Sequence, residues 1–185
     1  MKPGSSRRSA ILAAAEALLL AEGPRATSME AVARAAGVAK PTLYAYFADK
    51  DEIVRALAEE LIEAHGRELQ SALDGDGELE LRIAAALTAR GKHGLRLRTA
   101  PHGRELYGAQ SAIGGPLLRE LEAKLAHDLE RTLAEAGVER ARLLAQLLLA
   151  ASSGIGERAT APAELGPALR LLCERLIQPE LPAAR

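Results

Sequence analysis

Apolar residues recur three and four positions apart through most of this chain, and the alternating pattern of a half-buried strand is nearly absent. That periodicity restricts the chain to an all-α architecture. Only three Tyr and one Phe occur in 185 residues, so the core must be built from Leu, Ala, Ile and Val, and Leu and Ala are strong helix formers. Gly and Pro divide the pattern into segments.

A first helix is expected from about Ser6 to Ala21, halted at Glu22-Gly23-Pro24. Thr27 with Glu30 reads as a capping box opening a second helix that buries Met29, Val32, Ala33 and Ala36. Gly37 breaks it. A short third helix follows from about Lys40 to Tyr46, with Pro41 tolerated in its first turn. Asp49 and Glu52 repeat the capping pattern and start a fourth helix running toward Leu73. Beyond the Asp74–Gly77 loop, helices are expected at 78–90, around Gly103 to Ser111, and at 117–136, 138–158 and 163–178. Six glycines and two prolines between Gly91 and Pro116 predict only short or kinked helix there.

The net charge of -1 conceals an asymmetry. Residues 1–50 hold seven Lys/Arg and four Asp/Glu, a balance of +3, and the remainder holds 17 and 21, a balance of -4. A basic N-terminus is where a nucleic-acid footprint would lie. Cys173 is the only cysteine, which excludes an internal disulfide and predicts a cytoplasmic home. Glu16 interrupts the apolar run after Arg7 and Arg8, so that run reads as an amphipathic helix rather than a signal peptide. No apolar stretch approaches the ~20 residues of a membrane span.

Two helices joined by a tight Gly-containing turn make a helix-turn-helix, whose second helix can enter the DNA major groove. Ala33 permits close helix approach, Gly37 makes the turn, and Val38 and Leu43 supply packing. Lys40, Thr42, Tyr44 and Tyr46 are left as a polar, outward set, with the tyrosine hydroxyls suited to phosphate oxygens. Tyr44, Tyr46 and Phe47 place three of the four aromatics within four positions, a clustering that a generic core does not require. Phe47 is expected to be buried against the first helix. Arg7 and Arg8 read equally as a phosphate-contacting arm or as a solvated helix start.

The stretch TSMEAVARAAGVAKPTLYAYFADKDEIV, Thr27 to Val54, closely resembles the DNA-binding signature of the TetR family of bacterial transcriptional regulators. The resemblance implies an N-terminal three-helix DNA-binding domain at 1–50 and a C-terminal helical ligand-binding and dimerisation domain at 51–185. It implies that Lys40, Pro41 and Thr42 read bases, and that Thr27, Ser28, Tyr44, Tyr46 and Lys50 hold phosphates. Ala39 stands where the family often has a capping Ser, and Pro41 where Gly is common, so the base preference does not transfer.

The run Leu143 to Ala151 is apolar on nearly every side, and the last helix carries a wide apolar stripe. Both helices are therefore expected to pair with their copies in a homodimer, through Leu144, Leu148, Ala151, Ile155, Leu165, Leu169, Leu172 and Leu176. A small-molecule effector would be met by polar groups set in apolar helices, with His65, Tyr107, Gln110, Ser111 and Ser152 as candidates, Ser153 beside them. The four His have no recurrent metal spacing, no cofactor is implied, and no phosphate loop, nucleophile elbow or metal motif points to an enzyme. The expected function is a ligand-responsive regulator, a repressor acting on a palindromic operator. The alternative is an all-helical carrier or interaction protein, which would not need the exposed Lys40, Thr42, Tyr44 and Lys50 set.

Overall fold

The computed structural model describes residues 3–107 and 112–182, with the side chains of residues 3–6 and of Tyr107 left aside. Among the described residues nine α-helices and one 3-10 turn account for the regular structure, and no strand occurs. The helices are α1 (Pro3–Glu22), α2 (Met29–Ala35), α3 (Lys40–Tyr46), α4 (Lys50–Leu73), α5 (Leu79–Thr99), α6 (Gly103–Tyr107), α7 (Gly114–Glu135), α8 (Ala141–Arg158) and α9 (Pro162–Ile177). The all-α reading and its helix order hold.

The chain folds as two compact units, one of Met1–Ile62 with Leu97–Arg119 and one of Glu63–Arg96 with Glu120–Arg185. Each unit is thus discontinuous in sequence, and the division falls inside α4, inside α5 and inside α7.

In the first unit α1 packs on α2, α2 on α3, and α1 on α6. Ile11, Leu12, Ala15 and Leu19 line the buried face of α1, and they meet Val32, Leu43, Phe47, Ile53 and Leu106 in one apolar cluster. Phe47 is buried there, as its position after α3 predicted. The turn between α2 and α3 closes as a Schellman motif: Val38 N–H donates to the Ala33 carbonyl at 3.0 Å and Gly37 N–H to that of Arg34 at 3.2 Å. Gly37 has φ +64°, a left-handed conformation in which a side chain is strained.

In the second unit α8 packs on α9. Leu69, Ile83, Leu87, Leu129, Leu133 and Leu148 are among its buried side chains. Helix α5 runs nine residues past the expected end at 90, straight through Gly91 and Gly94. Tertiary packing explains Gly91. A Cβ added there would lie 3.2 Å from Leu165 Cδ1, so the missing side chain lets α9 close on α5 and outweighs the weak helix propensity of glycine. Cys173 is fully buried, and burial, with Glu80 and Glu174 nearby, pushes its thiol up to about 12, so it acts as a small apolar side chain.

Half of the sequence-selected dimer residues need correction. Leu144, Leu148, Leu165 and Leu169 are buried within their own unit, and Ala151, Ile155, Leu172 and Leu176 are half-buried. The apolar residues open to solvent lie on the opposite phase of the same helices: Leu143 and Leu147, each 50% exposed, on α8, and Leu171, 55% exposed, on α9. Ala150 and Gly154 continue the α8 stripe at helical spacing. A helix apolar on all sides does not reveal which phase its own core takes.

Candidate nucleic-acid interface

Helix α3 is short because its ends are set by backbone chemistry. Ala39 precedes it in an extended conformation without a side-chain cap, Pro41 removes one free amide of the first turn, and Phe47 leaves helical geometry to enter the core. Leu43 is fully buried and anchors the inner face. Lys40, Pro41 and Tyr44 are exposed, whereas Thr42 and Tyr46 are half-buried, Tyr46 packing on the core cluster. The outer face therefore carries Lys40, Pro41 and Tyr44 fully, and Thr42 in part.

Around α3 the structure redistributes several expected roles. The cap of α2 is Ser28, whose Oγ accepts from Ala31 N–H at 3.2 Å. Thr27, expected as capping residue and phosphate ligand, is instead buried, and its hydroxyl donates to the Gly23 carbonyl at 2.9 Å, so it does not face a phosphate. Ser28 is the exposed hydroxyl at this corner. Glu30, freed from the cap, forms an ion pair with Lys40, and that bond holds the Glu30 carboxyl below and the Lys40 ammonium above their ordinary ranges. Lys40 Nζ also lies 5.9 Å from the Tyr44 ring centroid, within cation–π range.

Lys50 opens α4 and donates to the carbonyls of Pro24 and, at 3.0 Å, Thr27. It ties the loop before α2 to the start of α4, a structural task that the sequence pattern did not reveal. The Asp49–Glu52 cap is present: Glu52 N–H donates to Asp49 Oδ1 at 2.8 Å, and Ala48 N–H to Glu52 Oε2 at 2.6 Å. Arg8 is engaged rather than a free arm, bonding Glu60 at 2.5 Å with its guanidinium 5.4 Å from the Phe47 ring centroid. Arg7 is exposed in α1.

The second unit holds a separate polar cluster. Arg90 grips Glu122 through Nε at 2.9 Å to both carboxylate oxygens and reaches Ser153 Oγ at 3.1 Å and Ser152 Oγ at 3.4 Å. Both serines donate onward to the Leu149 carbonyl at 2.9 Å. His65 stacks on His93 with ring centroids 4.2 Å apart. Burial lowers each imidazole to about 4, helped by Arg90 at His65 and by His65 and Arg96 at His93, with Glu68 and Glu122 opposing at His93. His65 Nδ1 and His93 Nε2 are buried without a hydrogen-bond partner. Of the expected effector ligands, His65 and Ser152 come to this region. Tyr107 ends α6, and Gln110 and Ser111 lie outside the described residues.

A cavity of about 510 Å³ in the same unit is lined by Leu81, Ala85, Thr88, Lys92, Pro167 and Arg170 among others, and by neither His65 nor Ser152. Lys92 and Arg170 gave no sequence signal, because each reads as a solvated charge on an amphipathic helix. Among the described residues no group of three or more His, Cys, Asp or Glu could hold a metal ion, and no helix is long and apolar enough to cross a membrane.

Comparisons with known proteins point the same way as the geometry. Residues 11–57 match the family of bacterial regulatory proteins, tetR family. No curated protein sequence matches the chain. Among solved structures, a TetR/AcrR-family transcriptional regulator from Thermobifida fusca YX-ER1 aligns with TM-score 0.70 at 21% identity over 91% of this chain and 96% of its own. A TetR-like transcriptional regulator from Rhodococcus sp. RHA1 gives 0.70 at 22% over 95% and 97%. The fatty acid degradation regulator FadR from Bacillus halodurans gives 0.68 at 18% over 94% and 96%. Identities this low establish a shared fold, and the resemblance in sequence lies in the head, where residues 11–57 are similar to the tetR family of bacterial regulatory proteins.

Proposed function

We propose that the protein is an effector-responsive transcriptional repressor that binds a palindromic operator as a homodimer, with residues 1–50 reading DNA and 51–185 regulating and dimerising. The observation that carries this reading is the exposed face of α3, where Lys40, Pro41 and Tyr44 stand on a helix whose inner face is locked by Leu43 and whose orientation is set by the Gly37 turn. A short helix presented this way suits the major groove. Lys40, Pro41 and Thr42, in its first turn, are the proposed base readers. Ser28, Tyr44, Tyr46 and Lys50 are the proposed phosphate ligands, and Thr27 leaves that set.

The open stripe of Leu143, Leu147 and Leu171 supports dimerisation, since a regulator with a two-fold operator would bury it against its copy. A polar effector would meet the His65 and Ser152 region, where two buried imidazole nitrogens have no hydrogen-bond partner. Such a protein works in the cytoplasm.

Duplex binding measured across salt concentrations tests the reading. Specific binding should weaken with a log-log slope near -0.9 per neutralised phosphate, and Leu147→Glu should leave each head intact while abolishing two-headed binding. Salt-insensitive binding would contradict it.

A further inference from the structure

We infer that Glu30 is a specificity-determining residue of the DNA-reading face, which positions the Lys40 ammonium for a guanine and keeps it off the phosphate backbone. The inference rests on the DNA-binding reading of the head. Glu30 lies in the first turn of α2 and Lys40 opens α3, and the Schellman turn at Gly37 fixes the two helices relative to each other. Their ion pair therefore spans two elements of one rigid motif.

Both partners are exposed, with 54% of the Lys40 side chain and 60% of the Glu30 side chain open to solvent, so the pair adds little to folding. Its consequence lies in what reaches the DNA. A lysine ammonium has three N–H donors. One is taken by Glu30, and the Tyr44 ring 5.9 Å away constrains the head further, leaving donors with a defined direction. An ammonium so held can meet the paired O6 and N7 acceptors of guanine in the major groove. A lysine released from Glu30 would instead sweep a four-carbon stem and find the nearest phosphate oxygen, which carries no sequence information. The Glu30 carboxylate, on the same exposed surface, also repels phosphates and lowers attraction to DNA of any sequence.

The test selects duplexes from a randomised library with the intact wild-type chain, with Glu30→Gln and Lys40→Ala, and with both changes together, then measures binding of the selected and of random duplexes at two salt concentrations. Glu30→Gln should bind random DNA more tightly, steepen the salt slope by about one unit, and lose roughly 5–10-fold of the preference for guanine at the position that Lys40→Ala makes indifferent. In the Lys40→Ala background the Glu30→Gln change should alter no base preference. Melting temperatures of all variants should stay near wild type, which separates positioning from a folding defect. Unchanged preference and slope in Glu30→Gln would overturn the inference, as would equal weakening on every duplex. A wild-type chain that enriches no sequence would overturn the DNA-binding reading itself.

Discussion

Helices α3 and α8 show how differently two regions of one chain declare their work. Helix α3 has seven residues, one of them fully buried, and its exposed side includes Lys40, Pro41 and Tyr44. Helix α8 has 18 residues and apolar side chains on both faces, Leu144 and Leu148 inward and Leu143 and Leu147 outward. On α3 a side chain's type tells which way it points, Leu43 inward and Lys40 and Tyr44 outward. In the body leucines serve core and surface alike, and only packing separates them.

The sharpest way to break that comparison is to place the same charge on neighbouring leucines of α8. Leu148→Glu puts an unpaired carboxylate in a fully buried site and should cost at least ~3–5 kcal/mol, enough to unfold the body. Leu147→Glu, half-exposed, should leave thermal unfolding nearly unchanged while light scattering reports monomers. A Leu148→Glu chain that melts like wild type would reverse the assignment of faces.

Next in size are the head's own contacts. Thr42→Ala should cost roughly 1–3 kcal/mol on the preferred operator and relax one or two base positions. Lys50→Ala should weaken all sequences alike and reduce the salt slope by about one, and it should also lower the melting temperature, because the Pro24 and Thr27 carbonyls lose their donor. Binding curves and melts on the same preparations separate the two effects.

The body can be probed through its stacked imidazoles. His65 and His93 are held near 4 in the folded chain, below the ordinary 6.5, so the unfolded chain binds more protons between those values. Stability is therefore full above about pH 6.5 and falls as pH drops toward 4, by up to about 3 kcal/mol for each imidazole. His93→Phe keeps a ring to stack on His65 and removes one proton site, and should flatten that loss in a pH series of thermal melts.

The smallest effect is expected at the turn. Gly37→Ala puts its Cβ into open space without a clash but forces a side chain to φ +64°, at about 1 kcal/mol. A head that loses nothing by thermal melting would mean that the turn relaxes.

The head was legible because its signals are local. Gly37, Pro41 and the Asp49–Glu52 cap act on their nearest neighbours, and α3 begins and ends where they predict, at Lys40 and Tyr46. Thr27 was misjudged because Thr27 and Ser28 offer equivalent hydroxyls, and only the Gly23 carbonyl beneath Thr27 decides between them. The ion pair of Glu30 with Lys40 and the ties from Lys50 to Pro24 and Thr27 join residues ten or more apart, beyond any local pattern. In the body, the continuation of α5 through Gly91 depended on Leu165. Apolar periodicity identified α8 as apolar on nearly every side and α9 by a wide apolar stripe, without giving the phase that faces inward.

The central claim is that α3 reads a two-fold site in duplex DNA. Selection from a randomised duplex library with the wild-type chain tests it most directly. The account predicts enrichment of an inverted repeat, with half-site centres one helical turn, about 34–36 Å, or a multiple of it apart, and loss of specified bases within the half-sites in Thr42→Ala. Enrichment of no sequence, or of one unchanged by substitutions on α3, would contradict it.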